Sequence, residues 1–110
     1  MTHPRFILGS TSTYRAELLR RVVPDFEQRA PGTDESARSG EMPADRALRL
    51  AIAKAEAVGA GLTDALVIGS DQVAELHGAT LDKPGVADRA RAQLAASSGQ
   101  DVHFHTAVCL

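Results

Sequence analysis

Residues 65–72 read Ala65-Leu66-Val67-Ile68-Gly69-Ser70-Asp71-Gln72, and the first five form a short continuous apolar run bounded by turn signals. Such a run has the pattern of a strand buried on both faces, at the centre of a sheet. Gly69-Ser70-Asp71 has turn composition, so the expectation is a strand closing at Gly69 with an aspartate just beyond its carboxyl end.

Working outward, Phe6-Ile7-Leu8 is a second apolar run that ends at Gly9-Ser10-Thr11-Ser12-Thr13. From Tyr14 to Val23 the spacing turns helical, with Leu18, Leu19, Val22 and Val23 on one side. Pro24 and residues 28–40 carry loop composition, with a short strand over Phe26–Ala30. Pro43 suits the first position of a second helix, which Gly59-Ala60-Gly61 stops. Beyond the central run, Val73–Leu76 and Thr80-Leu81 flank His77-Gly78-Ala79 as a hairpin. A third helix is expected over Ala87–Ala96 and a last strand over Val102–Leu110. Strands alternating with helices give an α/β class, a mixed sheet with flanking helices.

Composition bounds the function. The 110 residues carry 12 Lys+Arg and 14 Asp+Glu, a formal net charge of −2, with 44% hydrophobic residues, as in one globular domain. A slightly acidic chain with three Phe, one Tyr and no Trp lacks the basic stripe and stacking aromatics of a polynucleotide binder. The lone Cys109 allows neither an internal disulfide nor a zinc-binding cysteine pair. No stretch is apolar enough to span a bilayer, and Met1-Thr2-His3-Pro4-Arg5 lacks the apolar core of a secretory signal, so a cytoplasmic protein without a membrane partner is expected. A chain this short has a thin core, which points to an oligomer or to an incomplete domain.

Chemistry is sought where a residue contradicts its surroundings. On an ideal helix Arg15 falls between Val22 and Leu19, inside the apolar stripe, and in the first turn, where the macrodipole disfavours a cation. A snorkelling side chain accounts for this as well as a ligand does; the preceding Gly9-Ser10-Thr11-Ser12, rich in N–H and hydroxyl donors, tips the reading toward a phosphate at the helix start. Lys54 shares the side of Ala47 and Val58, away from Asp45, Arg46, Arg49 and Glu56; a snorkelling stem and a functional role explain it equally. Asp71, past the end of the central run, stands where α/β sheets bind ligands and would hold a metal or deprotonate a water, although a turn-capping aspartate is the commoner case. The Asp34-Glu35 pair and Lys83-Pro84 add carboxylates and a cation. Together these residues suit phosphate oxygens and an oxygen-seeking Mg²⁺ or Mn²⁺, the inventory of phosphate-ester hydrolysis. His77, His103 and His105 lack a metal-ligand pattern, Ser10 lacks triad partners, and no complete Walker A or Rossmann glycine motif is present.

Leu8-Gly9-Ser10-Thr11-Ser12-Thr13-Tyr14-Arg15, Ala30-Pro31-Gly32-Thr33-Asp34-Glu35, Arg49-Leu50-Ala51-Ile52-Ala53-Lys54-Ala55, Ile68-Gly69-Ser70-Asp71-Gln72-Val73, Lys83-Pro84 and Ser98-Gly99 follow one another in an order that resembles the Maf family of nucleoside triphosphate pyrophosphatases. The resemblance is collinear over nearly the whole chain, and the Ser70-Asp71-Gln72 form is similar to the branch acting on 7-methyl-GTP. It implies a Maf-like fold, related to inosine triphosphatase-like folds, and hydrolysis of a nucleoside triphosphate to monophosphate and pyrophosphate with a divalent cation. By the same resemblance Asp71 would be the base, and Glu35 with Asp71 would hold the metal. Ser10 and Arg15 would engage phosphate, Lys54 and Lys83 would neutralise triphosphate charge, and Gln72 would lie near the base. Homodimers are implied as well.

Two departures accompany the resemblance. Asp82-Lys83-Pro84 stands where the family commonly has Gly-Lys-Pro, placing a negative charge beside the lysine. The chain also corresponds to the first half to three-fifths of a family member, so residues 1–110 are expected to be the N-terminal portion of one Maf-like domain, with the C-terminal lobe absent. The rival expectations are a non-catalytic nucleotide-binding or partner-binding remnant, and a pyrophosphatase acting on dTTP or UTP.

Overall fold

A computed structural model describes residues 5–110; residues 1–4, read above for a signal, lie outside it. Strand β1 (Arg5–Gly9) leads through the turn Ser10-Thr11-Ser12 into α1 (Thr13–Arg20), followed by the short strand β2 (Glu27–Arg29). After an extended loop come α2 (Pro43–Gly59), β3 (Ala65–Leu76), β4 (Ala79–Leu81), α3 (Ala87–Ser97) and β5 (His103–Cys109). The α/β class and the element order match the sequence reading.

The central run behaves differently from expectation in two respects. It does not end at Gly69, because β3 continues to Leu76 and Asp71 lies inside the strand. The reason is a distant partner: Ser70, Asp71 and Gln72 are in register with Val108, Ala107 and Thr106 of β5. Pairing across the sheet overrides the local turn composition. Nor is the run buried on both faces, since Leu66 is 37% exposed and only one face is covered by α2.

β3 organises the sheet. Its first part, Ala65–Ile68, pairs in parallel with β1, which also pairs in parallel with β2. Its later part is antiparallel to β5, and Ala74–Leu76 is antiparallel to β4. Between Ile68 and Ala74, β1 has ended and β4 has not begun, which leaves an interval paired to β5 alone. Asp71 sits in that interval. The β3–β4 turn has both central residues in the left-handed region, His77 at φ 51° and Gly78 at φ 82°, as a two-residue turn that matches strand twist requires.

The core lies between α2 and the sheet: Ala47, Leu50, Ala51, Ala55 and Val58 of the helix are buried there with Ile7 and Val73 of the strands. Small residues on α2 let it approach closely, and Gly69 carries this furthest. A Cβ on Gly69 would run into the Ala51 carbonyl oxygen and lie 2.7 Å from the Ala55 nitrogen. The helix therefore rests on the strand backbone, at the residue that precedes Ser70 and Asp71.

On the other face the cover is partial. α1 buries only Ala16 and stops at Arg20, short of the expected Val23; Pro24 disfavours helical backbone at Val23. Its Leu18, Leu19 and Val22 face Leu8, Ile68 and Val108 across an apolar slot of about 360 Å³. Phe104 of β5 is 65% exposed on the same face, so the core is as thin as the chain length implies. Among the described residues no helix is long and apolar enough to cross a membrane.

Candidate active site

The loop after β1 is fixed by its own hydroxyls. Buried Ser10 accepts at Oγ from the Ser12 amide (3.1 Å) and from Arg15 Nη1 (3.4 Å). Ser12 caps α1, its Oγ accepting from the Arg15 amide at 3.1 Å. Arg15 is thus held at the helix start by the segment singled out in the sequence. It is half-buried and forms no ion pair among the described residues.

Lys54 does not snorkel. It is 6% exposed, and its ammonium is enclosed by Glu35 Oε1 at 2.8 Å, Asp71 Oδ1 at 2.9 Å and the Ser70 carbonyl at 3.4 Å. Those three acceptors match the three donors of an ammonium group. Gly69 makes this possible, because the close seating of α2 brings a mid-helix lysine within reach of mid-strand Asp71. Asp71 is itself buried, 8% exposed, and lies inside β3, so the alternative of a turn-capping aspartate does not apply.

Glu35 reaches the same point from the loop between β2 and α2. Its hydrogen bond from Lys54 holds the carboxyl below its usual range, aided by the charges of Lys54, Lys83 and Arg15 and opposed by partial burial. Asp34, by contrast, turns away: its Oδ1 accepts from the Ser36 amide (2.9 Å) and hydroxyl (2.6 Å), a local turn that lowers its proton affinity. The adjacent acids do not act as a pair.

Two adjoining cavities of about 400 and 430 Å³ open beside these groups and share Arg15, Glu35, Lys54 and Lys83 on their walls. The sizes suit a small molecule. Ser10 lines one cavity and Asp71 the other. Lys83 is exposed and, among the described residues, makes no ion pair. Gln72 stands between the polar cavity and the apolar slot, its Nε2 donating to Thr106 Oγ1 at 3.1 Å. All seven residues expected from the sequence therefore border one connected region.

Sequence reasoning missed Arg46 and Arg49, assigned above to the polar side of the second helix. Both are largely buried and grip the loop that carries Glu35. Arg49 makes a two-pronged contact with Glu41 (2.5 and 2.9 Å) and donates to the Ser36 carbonyl at 3.0 Å. Arg46 donates to the Glu35 carbonyl at 2.9 Å and meets Asp82 at 3.2 Å; with both Nη atoms so directed, its Nε is buried without a partner among the described residues. The available signal was a loop over residues 30–42 with no secondary structure, whose backbone needs side-chain donors from elsewhere.

Among the described residues no group of three His, Cys, Asp or Glu side chains is gathered for a metal. Glu35 and Asp71 meet at the Lys54 ammonium, and each keeps a second carboxylate oxygen without a hydrogen bond among the described residues. Mg²⁺ is commonly held by one or two carboxylates with substrate phosphates and water. The donor set fits a cation of that kind.

Comparison with known proteins places this geometry. The Maf-like protein family model matches residues 5–110. A 7-methyl-GTP pyrophosphatase of Xanthomonas axonopodis pv. citri (strain 306) is 58% identical over 107 residues, 97% of this chain and 56% of the relative. Proteins of the same name from Albidiferax ferrireducens and Paraburkholderia xenovorans are 56% and 52% identical, over 96% and 97% of this chain and 53% and 54% of their own lengths. The chain thus spans about half the length of the curated relatives it matches. A match that takes in every site residue, from Ser10 to Lys83, and relatives identical at more than half the aligned positions establish that the chain belongs to the Maf-like protein family.

Proposed function

We propose that the chain carries the phosphate-handling site of a nucleoside triphosphate pyrophosphatase, with 7-methyl-GTP as its substrate. One observation carries the reading. Arg15 and Lys83, cations without carboxylate partners among the described residues, face the Glu35–Lys54–Asp71 cluster across shared cavities. A polyanion satisfies the first two while its reacting phosphorus lies near the carboxylates.

In this reading Arg15 and Lys83 bind phosphate oxygens, and Ser10 holds Arg15 in place while lining the phosphate cavity. Lys54 orients Asp71 through Oδ1, leaving Oδ2 to take a proton from water. The water oxygen bonds to the α phosphorus as the bond to the bridging oxygen breaks, and pyrophosphate departs with that oxygen. A divalent cation held by Glu35 and Asp71 would supply charge neutralisation at the phosphates. Gln72, beside the apolar slot, is the proposed contact to the base, for which the names of the relatives are the guide. A homodimer and a cytoplasmic location belong to the same proposal.

The test is pyrophosphate release from 7-methyl-GTP, dTTP, UTP and GTP with Mg²⁺ or Mn²⁺, by this chain and its Asp71→Asn variant. Turnover abolished by Asp71→Asn supports the reading, and the preferred nucleotide names the substrate. Because the chain covers about half of its relatives, binding without turnover is the outcome that favours a non-catalytic nucleotide-binding fragment.

A further inference from the structure

We propose that Arg46 is a positioning residue that cancels the charge of Asp82 and so keeps Lys83 available to a polyphosphate. The inference rests on the function proposed above. Asp82 and Lys83 are adjacent, and both line the cavity that holds Asp71. A bare carboxylate there would compete for the lysine ammonium and repel the incoming phosphates. Arg46 Nη1 meets Asp82 Oδ1 at 3.2 Å. Its other arm, Nη2, donates to the Glu35 carbonyl at 2.9 Å, which orients the planar fork toward Asp82.

Arg46 also holds the Glu35 loop, and substitution at Asp82 separates the charge role from that one. Gln93 of α3 donates to the Asp82 carbonyl at 2.6 Å, so the Asp82 backbone is held independently of Arg46. The Asp82 side chain is 75% exposed, so its substitution leaves the core intact and the pair acts through a screened field.

The experiment is a double-mutant cycle on binding of tripolyphosphate with Mg²⁺, read by titration calorimetry on the 110-residue chain. Arg46→Ala is expected to weaken binding by about threefold to fivefold, and Asp82→Asn to tighten it by a similar factor. The double variant should return to within about twofold of the parent, and all differences should shrink in about 0.5 M KCl, as charge effects do and structural ones do not. Should Arg46→Ala fail to fold, Asp82→Asn alone decides. An Arg46→Ala chain that binds like the parent, an Asp82→Asn chain that binds no tighter, or a double variant as weak as Arg46→Ala overturns the inference. No binding by the parent overturns the proposed function and this inference with it. A cycle that closes as expected in a chain that releases no pyrophosphate overturns the hydrolytic reading alone.

Discussion

Lys54 Nζ and Asp71 Oδ1 lie 2.9 Å apart, both side chains nearly enclosed, where α2 rests on the backbone of β3. Removing one partner of such a pair leaves an uncompensated buried charge, which costs far more than the pair contributes. Lys54→Met should therefore destabilise the fold by about 3 kcal/mol at neutral pH. Urea denaturation at pH 7 measures this. A variant as stable as the parent at pH 7 would show that the lysine is not needed to neutralise Asp71.

Glu35 gives a second pH dependence, with a definite sign. Lys54 lowers its carboxyl below the ordinary 4.5 in the folded chain. Its contribution to stability is therefore full above that unfolded value and lost as pH falls through the lower folded one. Because the side chain is 56% exposed, solvent screening limits the contribution to below about 1 kcal/mol. Glu35→Gln should be slightly less stable than the parent at pH 6 to 7, with the difference shrinking as the pH falls below the unfolded value. Curves that stay parallel throughout the acid range would contradict the pairing.

Much of this site was legible in the sequence because Arg15 and Lys54 contradict the helices that carry them. Periodicity identifies a cation on an apolar stripe without reference to the partner. What it cannot identify is the partner. Asp71 was placed beyond a strand end because Gly69-Ser70-Asp71 looks like a turn, and only the register with Val108 and Ala107, nearly forty residues on, keeps it extended. The same holds for Arg46 and Arg49, which look like a solvated face until the loop over them supplies carbonyl and carboxylate acceptors. The expected end of the first helix failed for a local reason, Pro24.

Arg15 tests the phosphate reading most directly. Among the described residues its side chain hydrogen-bonds only to Ser10, at 3.4 Å, and it lines both cavities. Arg15→Ala should raise KM for a triphosphate, or Kd for tripolyphosphate, by about tenfold, the effect of one charge-assisted hydrogen bond. The melting temperature should stay within about 2 °C of the parent, as for a surface substitution. Normal binding with a lowered melting temperature would make Arg15 a structural residue of the α1 start.

Gly69 joins the fold to the chemistry and permits a test with an internal control. A methyl group at residue 69 would be driven into the α2 backbone at Ala51 and Ala55, which cannot yield as a flexible side chain does. Gly69→Ala should cost about 2 to 3 kcal/mol, the usual range for overpacking, as α2 is pushed off the sheet. Because Lys54 lies between Ala51 and Ala55 on that helix, the displacement should also part it from Asp71 and reduce tripolyphosphate binding. Gly59→Ala is the comparison: Gly59 is the last residue of α2, and its Cβ would meet nothing closer than a Val67 methyl at 3.5 Å, an ordinary contact. There the gain in helix propensity, up to about 1 kcal/mol, should leave stability unchanged or higher. Thermal denaturation of the two variants, with binding measured on each, would separate close helix seating from a general intolerance of added methyl groups. Equal stability of the two would mean that Lys54 reaches Asp71 without the close approach at Gly69.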